Sequence, residues 1–194
     1  ILDNLIEAKM IEPVIGIFVI PTNRNNEYAL TERFKYRNFF AKELVPHIDE
    51  NYSTARSREM RLVLGDSYGG NISVLIAVGY PELFGHLGIH SGAYQNYDYE
   101  TGYMLVNYPE SDIKIYSVWG SYEGSLTENQ RQISSAMISN GRDYKYKEYP
   151  EGHSWGLWRA TLDEILINSF PYEGVSAEQK PARILPLNIE LKQN

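Results

Sequence analysis

Arg61-Leu62-Val63-Leu64-Gly65-Asp66-Ser67-Tyr68-Gly69-Gly70 is the stretch on which the reading of this chain turns. A short, mostly apolar run leads directly into Gly-x-Ser-x-Gly, and a helical pattern follows from Tyr68 to Tyr80. That order predicts a strand, a sharp turn and a helix, with the serine at the apex. A serine hydroxyl that stands clear of a sheet needs a strained backbone. Side chains two residues before or after it would collide with the adjoining strand or helix, so Gly65 and Gly69 are expected to lack Cβ atoms for that reason. The helix aims its N-terminus at the serine, which favours negative charge there.

Working outward, the chain alternates strand-like and helix-like segments. Residues 1–9 read as an amphipathic helix with Ile1, Leu2, Leu5 and Ile6 on one face. Pro13–Ile20 is almost wholly apolar, as in a parallel strand buried on both faces. Pro21–Tyr28 is polar and Asn-rich and reads as a loop at that strand's carboxyl end. Tyr36, Phe40 and Leu44 have helical spacing, so a helix is expected to run to about Tyr52. Met60–Leu64 is the strand before the serine, and His86–His90 and Ile113–Trp119 are the next two strands. Leu126–Asn140 has helical spacing and ends at Gly141, a C-cap. Tyr144–Tyr149 alternates Tyr and Lys, as in a strand with one wet face, and Trp155–Phe170 is a last helix stopped by Pro171. Residues 1–170 thus read as one α/β domain with a mostly parallel sheet flanked by helices, and 171–194 as a tail.

Composition narrows the function classes. A net charge of −7 argues against a nucleic-acid partner, since little here would neutralise a phosphate backbone. Arg56, Arg58 and Arg61 make only a small basic cluster, interrupted by Glu59. No apolar run approaches the roughly 18 residues that suggest a membrane span. With no cysteine, the chain has no thiolate nucleophile, disulfide or Cys-based metal site.

A serine hydroxyl needs a general base to act as a nucleophile. In an α/β-hydrolase, whose nucleophile elbow has the Gly-x-Ser-x-Gly form, the chain order is Ser, then acid, then His. Four histidines are present. His47 and His86 lie within or beside helical or strand patterns, and His90 ends a short strand before Ser91-Gly92, where it could reach the strand-end cleft as the base or take a structural or substrate-facing role. His153, in Glu151-Gly152-His153-Ser154-Trp155, occupies the loop between the last strand and the last helix, where an imidazole can hang over the sheet's carboxyl edge. For the acid, Glu123 follows the preceding strand directly, in Gly120-Ser121-Tyr122-Glu123. Its competitors are less well placed: Glu128 and Asp163 fall inside helices, and Asp143 precedes a strand at the far edge of the sheet. Asp66 is expected to make a structural hydrogen bond.

These segments together carry a resemblance. The chain is similar to the Putative esterase family, which groups enterochelin esterases, feruloyl and acetyl-xylan esterases and esterase D-type enzymes. Leu2–Ile6 with Ile11-Glu12-Pro13 resembles the helix and turn before that family's fourth strand, and Phe40–Tyr52 the helix before the elbow. Gly65–Gly70 matches the elbow, Tyr80–Gly85 the turn after its helix, and Gly120–Asn129 the acid loop. Gly152–Trp155 with Trp158-Arg159 matches the histidine loop and the following helix. Here the acid is Glu rather than the commoner Asp. The family's first strands and its His-Gly oxyanion loop precede the matched region, and no His-Gly dipeptide occurs in this chain.

The resemblance implies an α/β-hydrolase that cleaves a carboxylic ester with Ser67 as nucleophile, His153 as base and Glu123 as orienting acid, without metal or organic cofactor. Enterochelin esterase-like chemistry is the nearest branch; feruloyl or acetyl-xylan ester hydrolysis, acyl transfer, and a non-catalytic binding role on the same fold are the alternatives. The Tyr68 N–H is the one oxyanion donor that the sequence names. Asn23 and Arg24 lie past a strand end where α/β sheets bind ligands, and Arg24 either meets an acidic or phenolic substrate or is a solvated loop arginine. Trp155 and Trp158 are candidates to wall the site, and Tyr94, Tyr97 and Tyr99 either stack on substrate or cover the core. A further expectation is a gap beside Met60–Leu64, filled by an N-terminal segment or a partner that supplies the remaining strands; Ile184–Ile189 is the other candidate.

Overall fold

The computed structural model describes residues 1–107 and 112–174. Four parallel strands form the sheet: β1 (Leu62–Asp66), β2 (His86–His90), β3 (Lys114–Gly120) and β4 (Tyr144–Tyr149), side by side in chain order. Helices α1 (Leu2–Glu7), α2 (Arg24–Ala29), α3 (Arg33–Phe39) and α4 (Val45–Asn51) precede them; α5 (Tyr68–Gly79), α6 (Glu100–Asn107), α7 (Ser125–Ser139) and α8 (Trp155–Ser169) follow β1 to β4 in turn. This is the α/β arrangement expected from the alternation of strands and helices.

The strands sort their side chains by pleat. Val63, Leu87, Ile89 and Ile115 join Ile72, Leu75, Ile76 and Met137 in a core beneath α5 and α7. Leu62, Leu64, Tyr116 and Val118 face the other way and meet Leu157, Trp158 and Ile165 of α8. β2 is central and buried throughout. Gly88 lets α8 close on it, because a Cβ there would lie 2.7 Å from Ile165.

Three expectations change. Pro13–Ile20 is not a strand: it runs outside the sheet, with Phe18 85% and Ile20 91% exposed. An apolar run becomes a strand only where a neighbour takes its backbone hydrogen bonds, and among the described residues no strand pairs with this one or with the outer edge of β1. The long helix expected from Tyr36 to Tyr52 is broken by a π-helical turn at Phe40–Leu44, where the Val45 N–H reaches back to Phe40 O. Pro46 follows at once and has no N–H to continue an α-helical ladder. The Asn-rich segment read as a loop contains α2, whose start is capped by Asn23. Pro171 forms an isolated antiparallel bridge with Ile11; Ile184–Ile189 lies outside the described residues.

Candidate active site

Successive strands deliver the site residues to one edge of the sheet. Ser67 follows β1, Ser91 follows β2, Glu123 comes three residues after β3, and His153 four residues after β4. All four strands are parallel, so these are all carboxyl ends, the edge at which α/β sheets bind ligands.

Ser67 has φ 58° and ψ −117°, a conformation that a residue with a Cβ rarely adopts. Its backbone is clamped from both sides. The Ser67 N–H donates to His90 O (2.8 Å), and Ser67 O accepts from the N–H groups of Asn71 and Ala93 (both 3.1 Å). A Cβ at Gly65 would lie 2.3 Å from the Gly69 carbonyl, so glycine is required there. Gly69 itself would meet nothing, contrary to the expectation; the second tight position is Gly70, where a Cβ would sit 3.0 Å from Ile89 and 3.1 Å from the Gly92 backbone. Tyr68 opens α5, so its N–H has no partner within the helix.

Glu123 and His153 meet, with His153 Nδ1 2.8 Å from Glu123 Oε2. Nδ1–H donating to the carboxylate leaves Nε2 as the lone-pair nitrogen. The Glu123 side chain is fully buried, whereas that of His153 is 31% exposed. Burial alone would push the Glu123 carboxyl up. Hydrogen bonds from His153, Ser91 and the Gly120 N–H outweigh it, with the His153 charge adding to them, and the group titrates below the ordinary glutamate value. Among the described residues, no hydrogen bond joins Ser67 Oγ to His153.

The other candidates sort into two groups. His90 is buried, its Nδ1 2.9 Å from Asp66 Oδ1 and its Nε2 3.0 Å from Thr161 Oγ1, so Asp66 makes the structural bond expected of it. Glu128 pairs with Arg131 on the surface of α7. Tyr94 is buried in the core, while Tyr97 and Tyr99 keep exposed faces. Asn23 spends its side-chain oxygen on the Asn26 N–H. Arg24 remains exposed. Its guanidinium lies 5.6 Å from the ring centres of both Tyr28 and Tyr68 and donates to Asp66 O (3.3 Å). Among the described residues no carboxylate pairs with it. Trp155 is 62% exposed and packs edge-on against Trp158, which in turn stands edge-on to the His153 ring at 4.9 Å. No group of three or more His, Asp or Glu side chains among the described residues is arranged to hold a metal, and no helix among them is long and apolar enough to cross a membrane.

The sequence reading missed Ser91. Its hydroxyl donates to Glu123 Oε1 (2.7 Å) and accepts from the Trp158 indole N–H (2.9 Å). The available signal was Ser91-Gly92 directly after a strand, at the same edge as the elbow.

Comparison with known proteins bears on the family and the fold. The family described as Putative esterase matches residues 1–169. YjcH, an uncharacterized protein of Bacillus subtilis, is 26% identical over 162 residues, covering 76% of this chain and 65% of that protein. The enterobactin esterase FES of Shigella flexneri, solved in the presence of enterobactin, superposes with a TM-score of 0.75 at 19% identity, over 87% of this chain and 45% of that one. A ferulic acid esterase superposes with a TM-score of 0.63 at 16% identity, over 70% of this chain and 60% of that one. The chain thus spans less than two thirds of the length of each of these relatives.

Proposed function

The chain belongs to the Putative esterase family, and from that premise we propose that it hydrolyses a carboxylic ester through a serine acyl-enzyme. Ser67 Oγ attacks the ester carbonyl while His153 Nε2 takes its proton. The tetrahedral intermediate collapses as His153 returns that proton to the leaving alcohol. Water, activated by the same imidazole, then attacks the acyl-enzyme and frees the acid and Ser67. Glu123 fixes the tautomer and steadies the imidazolium. The Tyr68 N–H, at the head of α5 with no partner inside the helix, is one donor to the oxyanion.

The observation that carries this reading is the pairing of two features at one sheet edge. One is a serine held at φ 58° between Gly65 and Gly70; the other is an imidazole bonded at 2.8 Å to a buried carboxylate. Neither a surface turn nor a structural histidine needs that combination. The Ser67–His153 bond closes with substrate bound, since catalytic hydrogen bonds often tighten only then.

For the substrate, Arg24 supports an ester with an acidic or phenolic group, because a cation that pairs with no carboxylate among the described residues lies on the Tyr68 ring next to the nucleophile. The likeness to an enterobactin esterase and a ferulic acid esterase points the same way. Trp155, exposed at the start of α8, would wall the cleft, and Asn23 holds the turn that presents Arg24. A panel of nitrophenyl, feruloyl, acetyl-xylan and catecholate esters tests the assignment. Wild type should turn over at least one of them, and Ser67→Ala none. Arg24→Gln should raise KM for phenolic or acidic esters and leave neutral esters unchanged. Equal turnover by Ser67→Ala would end the reading.

A further inference from the structure

Glu123 is held by more than the histidine it serves. Its Oε2 faces His153, while its Oε1 accepts two further hydrogen bonds, from the Gly120 N–H (2.5 Å) and from the Ser91 hydroxyl (2.7 Å). Ser91 has one proton to give and gives it to Glu123. Its lone pair then takes the Trp158 indole N–H at 2.9 Å. Ser91 is fully buried and sits at φ 48°, a left-handed conformation that costs a serine energy and would suit glycine. A side chain kept at a strained, solvent-free position invites the question of what its hydroxyl does there.

Trp158 has two contacts that matter. Its N–H ends the chain of bonds to Glu123, and its ring stands edge-on to the imidazole of His153 at 4.9 Å. One residue of α8 therefore touches the histidine directly and reaches its carboxylate partner through Ser91. Thr127 adds a last fixed point: its hydroxyl donates to Gly120 O (2.7 Å) and accepts from the Glu123 N–H (3.1 Å), locking the acid loop's backbone. Among the described residues, His153 is the only ionisable side chain in contact with the Glu123 carboxylate.

We propose that Ser91 and Trp158 are positioning residues for the esterase reaction. Together they aim the Glu123 carboxylate at His153 and register the imidazole over the sheet edge. This rests on the ester-hydrolase reading above. The physical reason is that a carboxylate has two oxygens and free rotation about its last bond. With Oε1 tied to two donors, the Oε2 lone pair can point only at Nδ1–H. Bonds to a charged acceptor are stronger than neutral ones, and a preset orientation removes a rotation that would otherwise be frozen during catalysis.

Five variants of the full chain test this: Ser91→Ala, Ser91→Gly, Trp158→Phe, Glu123→Ala, and Ser91→Ala combined with Glu123→Ala. A fluorophosphonate probe is first applied to wild type. Label on Ser67 is expected; its absence would overturn the hydrolase reading, and this role with it. Given label, Ser91→Ala should lower kcat on the order of 10-fold at nearly constant KM, the effect of one hydrogen bond to a charge. Ser91→Gly should be equally slow although glycine relieves the backbone, so a loss that tracks the hydroxyl and not the conformation is expected. Trp158→Phe keeps an aromatic ring but loses the N–H and the second ring of the indole, and should fall between Ser91→Ala and wild type. In the Glu123→Ala background the Ser91 change should have almost no further effect, because its target is gone. Wild-type kcat in Ser91→Gly, or losses that multiply in the double variant, would overturn the positioning role while leaving the esterase intact.

Discussion

Two apolar stretches of this chain look alike as sequence and end in different states. Ile89 of β2 and its neighbours lie between two other strands, and Ile89 is fully buried. Pro13–Ile20 is richer still in β-branched residues, yet it runs beside the sheet with Ile15, Ile17, Phe18 and Ile20 exposed. The difference is pairing. β2 has a parallel partner on each side, so its backbone groups are satisfied and its side chains can be buried. Only Val14 and Val19 of the second stretch pack against core clusters. Apolar pattern reports what a segment tolerates; a neighbour decides what it becomes. The strained elbow follows an edge strand, and its backbone is held instead by its own bonds: the Ser67 N–H donates to His90 O, and Ser67 O accepts from the Asn71 and Ala93 N–H groups.

The largest effect is expected on chemistry, at the carboxyl ends of the strands. His153→Ala should lose about 10⁴-fold or more in kcat, and combining it with Ser67→Ala should add little, since the residues act as a unit. Glu123→Gln should be milder, about 10²- to 10⁴-fold. Steady-state rates on a responsive ester check both, and multiplying losses would show that the residues act separately.

Next comes the contrast itself. Ile89→Ala should cost about 2–5 kcal/mol in urea unfolding, while Ile20→Ala should stay within about 0.5 kcal/mol. A similar loss at Ile20 would show that the first stretch is held by partners as firmly as the second. Within the elbow, Gly65→Ala should cost about 3 kcal/mol or more, the upper end of overpacking penalties, because its Cβ would strike the backbone of Gly69. Gly69→Ala meets open space at the first turn of α5 and should leave stability unchanged or raise it by up to about 1 kcal/mol.

The smallest effect concerns the opposite edge strand. On β4, hydrogen bonds from Arg131 hold the Glu148 carboxyl down to about 2, with help from Ser121 and Trp119, against an ordinary value of 4.5. A depressed carboxylate stabilises the fold above the ordinary value, and that contribution is lost as pH falls through the folded one. Glu148→Gln should therefore be less stable than wild type at pH 7, and the gap should close between about pH 4.5 and pH 2. Urea midpoints across that range check it; a gap that stays constant with pH would mean that the charge contributes nothing.

Much of the site was legible because strand order dictates it. Once Met60–Leu64, Ile113–Trp119 and Tyr144–Tyr149 are read as parallel strands, the residues just past them must share an edge, and Ser67, Glu123 and His153 follow. The strands themselves begin and end within two residues of expectation. What stayed hidden depends on contacts distant in sequence. The Ser91–Trp158 bond joins residues 67 positions apart, and no local pattern marks it. The role of Gly70 was hidden likewise, since its neighbours are Ile89 and Gly92 across the sheet edge. α2 was missed for another reason: polarity suggested a loop, although the Asn23 side chain accepts from the Asn26 N–H and the Glu27 carboxylate accepts from the Asn23 N–H, a cap that could have marked its start.

The central claim is that the serine at the elbow is a working nucleophile. Labelling the intact chain with a fluorophosphonate and mapping the adduct by peptide mass spectrometry tests it most directly. One adduct per chain on Ser67, absent in Ser67→Ala and strongly slowed in His153→Ala, is the predicted result. No adduct, or one placed on another residue with Ser67 untouched, would contradict it.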